Sequence, residues 1–270
     1  MYHVARYRRQ VVDENIASAF PNQSPEERAV IARRFYRNFC DNWVETLKLL
    51  SISPQRFRKR VVLDVSAAER FAAQGRSVVE VAGHQFNFEM ISMAFGLMLP
   101  FTQVTVYMPL TSKVMDRLFR HLRARMGTVL ISATEMGQQY TPWRHKPHGL
   151  GLAADQSPAS PESGFWLWFL NQPTSFVKGP ERLGRTANMP VLFFTFSKAQ
   201  RGYYRFDCEV LCENPRQTAQ GDITRLFARK LEQVIENDPA LYMWSHKRWK
   251  HNWKPEYSRL WVDERPMPAS

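Results

Sequence analysis

Two kinds of apolar run alternate along most of this chain. Short runs rich in β-branched or aromatic side chains are typical of strands, whereas apolar residues repeated every three or four positions form one face of a helix. The predicted strands are Ser77–Ala82, Gln103–Tyr107, Thr128–Ser132, Gly149–Ala154, Pro190–Phe196 and Tyr203–Cys212. The predicted helices are Pro25–Leu50, Phe88–Leu97, Ser112–Met126, Glu181–Asn188 and Asp222–Asn237.

The order of these elements predicts the fold class. Strands that alternate with helices favour an α/β fold, here with a mostly parallel, mixed sheet flanked by helices. The segments 133–148 and 157–162 are rich in Pro, Gly and polar residues and are predicted to be irregular loops. We expect one domain over residues 1–270, with a helical N-terminal part at 1–60 and a basic, aromatic C-terminal tail at 241–270.

The first long helix carries a clear start signal. Ser24 is predicted to be its N-cap, with Pro25 at the first helical position and Glu27 completing a capping box. One face of this helix is apolar, and we interpret the face as core packing. Its members are Ile31, Phe35, Phe39, Trp43, Leu47 and Leu50.

Composition narrows the class of protein. The formal net charge of the 270 residues is +12, which attracts nucleic acid, an acidic membrane surface or an acidic protein without choosing among them. Three cysteines give neither a disulfide framework nor paired zinc spacing, so we expect a reducing, cytoplasmic compartment. Met1–Gln10 does not resemble a secretory signal, and the apolar stretch Met90–Pro100 is too short to cross a bilayer.

The most informative segment leads from a predicted strand into a predicted helix. Gly83 interrupts the apolar run, His84 follows it, and Asn87 is predicted to be the N-cap of the next helix. Glu89 then lies in the first helical turn. On one continuous helix the side chains of His84 and Glu89 would point about 140° apart, but a turn between them lets the two meet.

A histidine and a carboxylate that meet in this way can act as a general base and its orienting partner. We therefore expect Glu89 to hold the ring of His84. The alternative is a buried histidine whose ring nitrogens bond only to the backbone, and spacing alone does not exclude it.

Three further polar segments have both a functional and a structural interpretation. Asp155-Gln156 follows a strand and could face a substrate or cap its own loop. Lys178-Gly179 precedes a helix and could seat an anion, although it is not a P-loop. A predicted helix carries Arg117, Arg120, Arg123 and Arg125, which either hold phosphates or carboxylates or form a solvated face.

The C-terminal run Tyr242–Lys254 interleaves aromatic residues with cations. Such a run can stack bases and neutralise phosphates, or lie at a membrane interface on anionic lipids. A third interpretation is a final helix whose Trp244 and Trp249 pack on the core. The sequence does not decide among the three.

Taken together, these residues resemble a known family, the bacterial lipid A secondary (lauroyl/myristoyl) acyltransferases, particularly the type found in Bacteroidetes. The resemblance covers nearly the whole chain. The matching segments are Tyr7-Arg8-Arg9 to Asn15, Ala19-Phe20-Pro21, Gly83-His84 with Asn87 and Glu89, Tyr107-Met108-Pro109-Leu110, Met115-Asp116-Arg117-Leu118, Arg123, Gly127, Ala154-Asp155-Gln156-Ser157-Pro158, Phe169-Leu170-Asn171-Gln172, Gly202-Tyr203-Tyr204, Glu213-Asn214-Pro215 and Trp244-Ser245-His246-Lys247-Arg248-Trp249-Lys250.

The resemblance implies a glycerolipid-acyltransferase-like fold and transfer of a fatty acyl chain from acyl carrier protein to a hydroxyl of a lipid A precursor. It places the enzyme at the cytoplasmic face of the inner membrane. It implies that His84 is the catalytic histidine and Glu89 its carboxylate partner. Arg123, Asp155 and Gln156 match positions around the substrate site. Arg117, Lys178 and Gly179 are our further substrate-binding candidates, and we expect neither a cofactor nor a metal.

Three departures from the family pattern bear on activity. The stretch 134–149 is shorter than expected and contains Pro142 and Pro147, which disfavour the helix expected there. The family carries an apolar N-terminal anchor ahead of the Tyr-Arg-Arg segment, whereas Met1 lies only a few residues before it here. We expect peripheral membrane association unless such an anchor is missing from the sequence given. Phe86 stands where glycine is common, beside His84. The alternatives are an inactive lipid-binding relative and a basic nucleic-acid-binding module, although no nucleic acid is expected as a partner.

Overall fold

The computed structural model describes residues 7–268. Its strands are β1 (Val61–Leu63), β2 (Val78–Ala82), β3 (Thr102–Tyr107), β4 (Val129–Ser132), β5 (His148–Ala153), β6 (Gly164–Phe169), β7 (Gln172–Val177), β8 (Val191–Gln200) and β9 (Tyr203–Cys212). Its α-helices are α1 (Arg9–Ala19), α2 (Pro25–Leu49), α3 (Pro54–Arg58), α4 (Ser66–Ala73), α5 (Phe88–Met98), α6 (Lys113–Ala124), α7 (Met136–Gln139), α8 (Gly179–Ala187) and α9 (Asp222–Asn237). Over these residues, none of the helices combines the length and the apolar character that crossing a bilayer requires.

Seven strands of the described chain form one sheet in the order β1-β9-β8-β2-β5-β3-β4. Neighbouring strands run parallel except β8 and β9, which form an antiparallel hairpin that turns at Gly202 with φ of 86°. The predicted fold class, a mostly parallel mixed sheet flanked by helices, is therefore confirmed. Parallel pairing brings the carboxyl ends of β2, β5 and β3 to one edge of the sheet, which is where α/β proteins place their ligands.

A second, two-stranded sheet was not predicted. β6 and β7 form an antiparallel hairpin whose turn residues Leu170 and Asn171 have φ of 48° and 62°. Asparagine tolerates this left-handed backbone but leucine does so rarely. The strong turn signal that glycine would have given is missing, so the apolar pattern alone does not reveal the hairpin.

Both faces of the large sheet are covered. One face packs Val79, Val81 and Phe193 against α1, the first half of α2 and α9. The other packs Val78 and Phe194 against residues of α4, α5 and α6. A strand buried on both faces reads as a continuous apolar run, which is why β2 could be located from its sequence.

Polar groups interrupt this core between β2 and β3. Glu80 and Gln103 are each 1% exposed, and the amide of Gln103 donates to one carboxyl oxygen of Glu80. Gly149 on the intervening strand makes room for them, since a Cβ there would lie 2.3 Å from Glu80 Oε1. Burial raises the pKa of Glu80 to about 8, against the hydrogen bond from Gln103, which lowers it.

Helix α2 confirms one expectation and corrects another. The capping box of Ser24 and Glu27 is present, with Pro25 at the first helical position. The apolar face, however, is buried only in its first half, because Trp43 and Leu47 are 42% and 63% exposed.

Charged residues turn inward in the second half of α2. Asp41 accepts hydrogen bonds from Lys198 and Arg201, and Glu45 accepts one from the hydroxyl of Tyr204. The β8–β9 hairpin thus supplies partners that periodicity along α2 cannot reveal.

Candidate active site

The site begins where two neighbouring parallel strands end. Ala82 on β2 pairs with Ala153 on β5, and Ala154 N donates to Ala82 O at 3.2 Å. His84 and Asp155, which follow these strands, are therefore brought together from positions 71 residues apart.

Asp155 holds His84 at two points. Asp155 Oδ1 lies 2.6 Å from His84 Nδ1, and Asp155 Oδ2 accepts the backbone N–H of His84 at 2.9 Å. An ionised carboxylate can only accept hydrogen bonds, so Nδ1 carries the proton and Nε2 of the neutral ring keeps a lone pair. Nε2 lies 3.3 Å from the amide nitrogen of Gln156 on the exposed side of the ring.

The charges of this pair stabilise each other. Burial opposes the ionised form of Asp155, but the charge and the hydrogen bonds of His84 outweigh it and lower the pKa of Asp155 to about 2. Burial likewise opposes the charged form of His84, yet the Asp155 carboxylate raises its pKa above the ordinary value. The ring is thus held beside a fixed negative charge that stabilises an imidazolium.

The turn that carries His84 forms as predicted. Asn87 adopts the left-handed conformation with φ of 56°, and its side chain accepts the backbone N–H of Met90, which makes it the N-cap of α5. Asparagine suits both roles, since it caps helices well and tolerates positive φ. The predicted strand and helix on either side of this turn are confirmed within one residue at each end.

The prediction that Glu89 holds the ring of His84 is wrong. Both carboxylate oxygens of Glu89 accept from Arg123, whose Nε and Nη2 lie 2.7 and 2.6 Å away. Glu89 is buried in the first turn of α5 and points to α6, where a planar guanidinium satisfies both of its oxygens. Asp155 takes the ring of His84 instead, and Glu89 acts on His84 only through its charge.

One aromatic residue joins the two pairs. The ring of Phe88 meets the ring of His84 edge to face at 5.1 Å, and Arg123 lies over the Phe88 ring at 6.0 Å. His84, Asp155, Gln156, Glu89 and Arg123 therefore form one cluster at the carboxyl edge of the sheet.

Three of the sequence candidates lie elsewhere. Arg117 lines an open surface cavity with Arg120 and His121 on α6. Lys178 lies over the ring of Phe165 at 4.8 Å in another cavity along α8, whose first residue is Gly179. Across residues 7–268, no hydrogen bond or ion pair joins these three to His84 or Asp155.

The C-terminal tail, whose role the sequence did not decide, packs against the segment that carries His84. Phe86 N donates to Leu241 O and Met243 N donates to His84 O, so the tail pairs with the backbone around His84. Trp244 is 1% exposed and Arg248 is 3% exposed. The expected core packing is thus confirmed for Trp244, but the expected final helix is wrong, since residues 242–254 contain no helix. The charge of Arg248 helps to lower the pKa of Asp155.

A second histidine in the tail lies close to this charge system. Burial lowers the pKa of His246 to about 4, although the nearby Asp155 carboxylate opposes that shift. His246 is therefore neutral at physiological pH, and its Nε2 is buried with no hydrogen-bond partner in the described residues. Sequence reasoning gave His246 no role of its own, because a histidine among lysines and tryptophans resembles a surface residue.

The sequence of this chain is similar to those of known proteins. A sequence model of the family described as bacterial lipid A biosynthesis acyltransferase matches residues 1–251. A lipid A biosynthesis palmitoleoyltransferase of Escherichia coli (strain K12) is 23% identical over 245 residues, which cover 90% of this chain and 79% of the relative. A lipid A biosynthesis acyltransferase of Shigella flexneri matches with the same identity and coverage.

Proposed function

Because the chain belongs to the bacterial lipid A biosynthesis acyltransferase family, we propose that it moves a fatty acyl chain from the thioester of acyl carrier protein to a hydroxyl group of a lipid A precursor. The observation that carries the proposal is the His84–Asp155 pair, with Nε2 of the ring on its exposed side. This is the arrangement that a general base for hydroxyl attack requires.

In the proposed reaction, His84 Nε2 removes the proton as the hydroxyl oxygen attacks the thioester carbonyl carbon. Asp155 stabilises the imidazolium that forms. The carbon–sulfur bond then breaks, and the imidazolium returns the proton to the departing thiolate. Neither a serine nor a cysteine contacts His84 Nε2 among the described residues, which favours direct transfer over an acyl-enzyme.

We assign substrate-positioning roles to the groups around the ring. Arg123, fixed by Glu89, provides a cation close to His84 for a phosphate or carboxylate of the acceptor. The Gln156 amide lies within reach of an oxygen bound at Nε2 and can donate to it. The proposed step requires neither a metal nor a cofactor.

The net charge of +12 supports the remaining assignments. It complements an acidic carrier protein, the phosphates of a sugar lipid and an anionic leaflet. We accordingly propose peripheral association with the cytoplasmic face of the inner membrane. The nucleic-acid alternative relied on the tail, and Trp244 has no free ring face for a base because it is buried.

The decisive experiment compares two histidine variants with the wild type. Purified protein is incubated with acyl carrier protein bearing a radiolabelled acyl chain and a detergent-dispersed lipid A precursor, and the product is identified by mass spectrometry. His84→Ala should lower kcat by about 10²–10⁴-fold, while His145→Ala, at an exposed position, should leave it unchanged. Retained activity in a folded His84→Ala protein would remove His84 from the mechanism.

A further inference from the structure

The segment that links β3 to α6, together with the first turns of α6, presents an exposed surface that is both apolar and basic. We call it the outer α6 face, formed by Met108, Leu110, Lys113, Val114, Arg117 and Leu118. Every residue from Met108 to Val114 is exposed. The apolar members are 65% (Met108), 43% (Leu110), 78% (Val114) and 36% (Leu118) exposed.

This exposure is unusual for one short segment. Single exposed apolar residues are common on soluble proteins, but contiguous groups mark interaction sites. Val114 and Leu118 are four residues apart and share one side of the helix. The core contact of α6 is made elsewhere, through the buried Leu122, and the outer apolar residues belong to neither hydrophobic core of the described chain.

The outer α6 face lies at the same edge of the sheet as the candidate active site. It follows the carboxyl end of β3, whereas His84 and Asp155 follow β2 and β5, and all three strands are parallel. Helix α6 also carries Arg123, which binds Glu89 at the start of α5. The outer α6 face and His84 therefore lie at the same edge of the sheet.

The charges around this face are basic. Lys113 and Arg117 alternate with the apolar residues, and Arg117 and Arg120 line an open cavity of about 440 Å³ next to them. The acidic residue of the segment, Asp116, already accepts the backbone N–H of Leu110. Its carboxylate thereby shapes the loop that presents the apolar side chains.

We propose that the outer α6 face is the surface on which this protein lies on an anionic lipid bilayer. Met108, Leu110, Val114 and Leu118 enter the boundary between headgroups and acyl chains, and Lys113, Arg117 and Arg120 contact lipid phosphates. All seven residues from Met108 to Val114 are exposed, and a fluid bilayer accommodates such a surface without a matching groove. This inference rests on the proposed function, because an acceptor embedded in that bilayer would meet His84 at the same edge.

Co-sedimentation with vesicles tests the surface without reference to catalysis. The wild type should bind vesicles that contain phosphatidylglycerol more tightly than pure phosphatidylcholine vesicles, and salt should weaken the binding. Val114→Ser/Leu118→Ser and, separately, Lys113→Glu/Arg117→Glu should each weaken it about tenfold or more. The matched controls are Val30→Ser/Leu226→Ser and Lys59→Glu/Arg37→Glu, which alter exposed residues elsewhere and should change binding less than about twofold.

Equal losses in test and control variants, or wild-type binding by the test variants, would overturn the inference. Titration with acyl carrier protein tests the alternative that the outer α6 face binds this acidic protein and not a bilayer. If Lys113→Glu/Arg117→Glu lost binding to that acidic protein while vesicle binding stayed intact, the face would be a protein-docking site and the bilayer assignment would be wrong. Thermal melting of each variant verifies that it is folded.

A second readout separates this inference from the proposed function. With the acceptor in vesicles, Val114→Ser/Leu118→Ser should lose acyl transfer, and with the acceptor in detergent the same variant should match the wild type. A wild type that binds vesicles through this face but transfers no acyl chain in detergent refutes the proposed function and supports the bilayer surface. If the wild type transfers the acyl chain but variants of the outer α6 face bind vesicles as the wild type does, the proposed function is supported and the bilayer surface is refuted.

Discussion

Asp155 fixes both the ring and the main chain of His84, since one carboxylate oxygen lies 2.6 Å from Nδ1 and the other accepts the backbone N–H at 2.9 Å. The two contacts together set the position of the residue and the direction of its ring. Nε2 is thereby left toward the exposed side, beside Gln156. Any role of His84 as a base therefore depends on Asp155 more than on the nearer residue in sequence, Glu89.

The first prediction concerns Asp155→Asn. An asparagine amide can donate to Nδ1, which would move the ring proton to Nε2 and remove the lone pair that a base needs. We expect kcat to fall by about 10³–10⁴-fold. Steady-state kinetics measure this, with Asp207→Asn on the exposed side of β9 as the control. Activity within a few fold of the wild type would show that Asp155 does not set the tautomer.

The same variant should shift the pH profile. The neutral form of His84 is the base, so activity rises as pH rises through its pKa, which Asp155 holds above the ordinary value. Without that carboxylate the pKa of His84 falls, and the residual activity of Asp155→Asn should rise at lower pH than in the wild type. The dependence of log kcat/KM on pH checks the direction, and an unmoved midpoint would contradict it.

Glu89 and Arg123 should behave as one unit. Both are largely buried, so Glu89→Gln leaves a guanidinium without its counter-charge and should cost about 3 kcal/mol of unfolding free energy. Arg123→Met strands the carboxylate in the same way. The double variant should cost clearly less than the sum of the two single changes, as urea unfolding in a double-mutant cycle would reveal. Additive losses would mean that the pair does not interact.

The pH dependence of activity distinguishes whether Asp155 or Glu89 orients the ring of His84. If Glu89 held the ring of His84, Glu89→Gln would move the pH midpoint of activity as far as Asp155→Asn does. The observed contacts predict a smaller shift from Glu89→Gln, because Glu89 acts on His84 through charge alone.

The local structure around His84 could be predicted from the sequence, whereas its carboxylate partner could not. The strand, the Asn87 cap and the helix around His84 are local, and the apolar pattern with one capping residue suffices to predict them. The partner of His84 depends on β5 lying next to β2 in the sheet, and strand order leaves no local signal. The inward-facing Asp41 likewise depends on cations of a distant hairpin.

The raised pKa of the buried Glu80 should make the free energy of unfolding fall as the pH rises. In the folded protein the carboxyl group of Glu80 has a pKa of about 8, whereas a glutamate in the unfolded chain has a pKa near 4.3. The unfolded state therefore gains free energy by ionising between these values, and the contribution of Glu80 to wild-type stability falls as pH rises through this window. Glu80→Gln cannot ionise and removes that dependence.

We expect Glu80→Gln to match the wild type near pH 4 and to exceed its unfolding free energy by on the order of 5 kcal/mol above about pH 8. Denaturant unfolding at several pH values measures the difference, with the exposed Glu26→Gln as the control. A difference between Glu80→Gln and wild type that does not change with pH would mean that Glu80 is ionised in the folded state.

The last prediction tests what the C-terminal tail does. Trp244 is 1% exposed, its indole N–H donates to Pro239 O at 2.6 Å, and its ring packs edge to face against Phe20 and Tyr242. Trp244→Ala should therefore cost about 3–5 kcal/mol of unfolding free energy. Trp43→Ala removes an equally large ring that is 42% exposed and should cost less than about 1 kcal/mol. If the tail were instead a membrane anchor, Trp244→Ala would weaken vesicle binding and leave the urea midpoint unchanged. The opposite pattern is expected here, because Trp244 lies directly after the Leu241–Met243 segment that pairs with the backbone around His84.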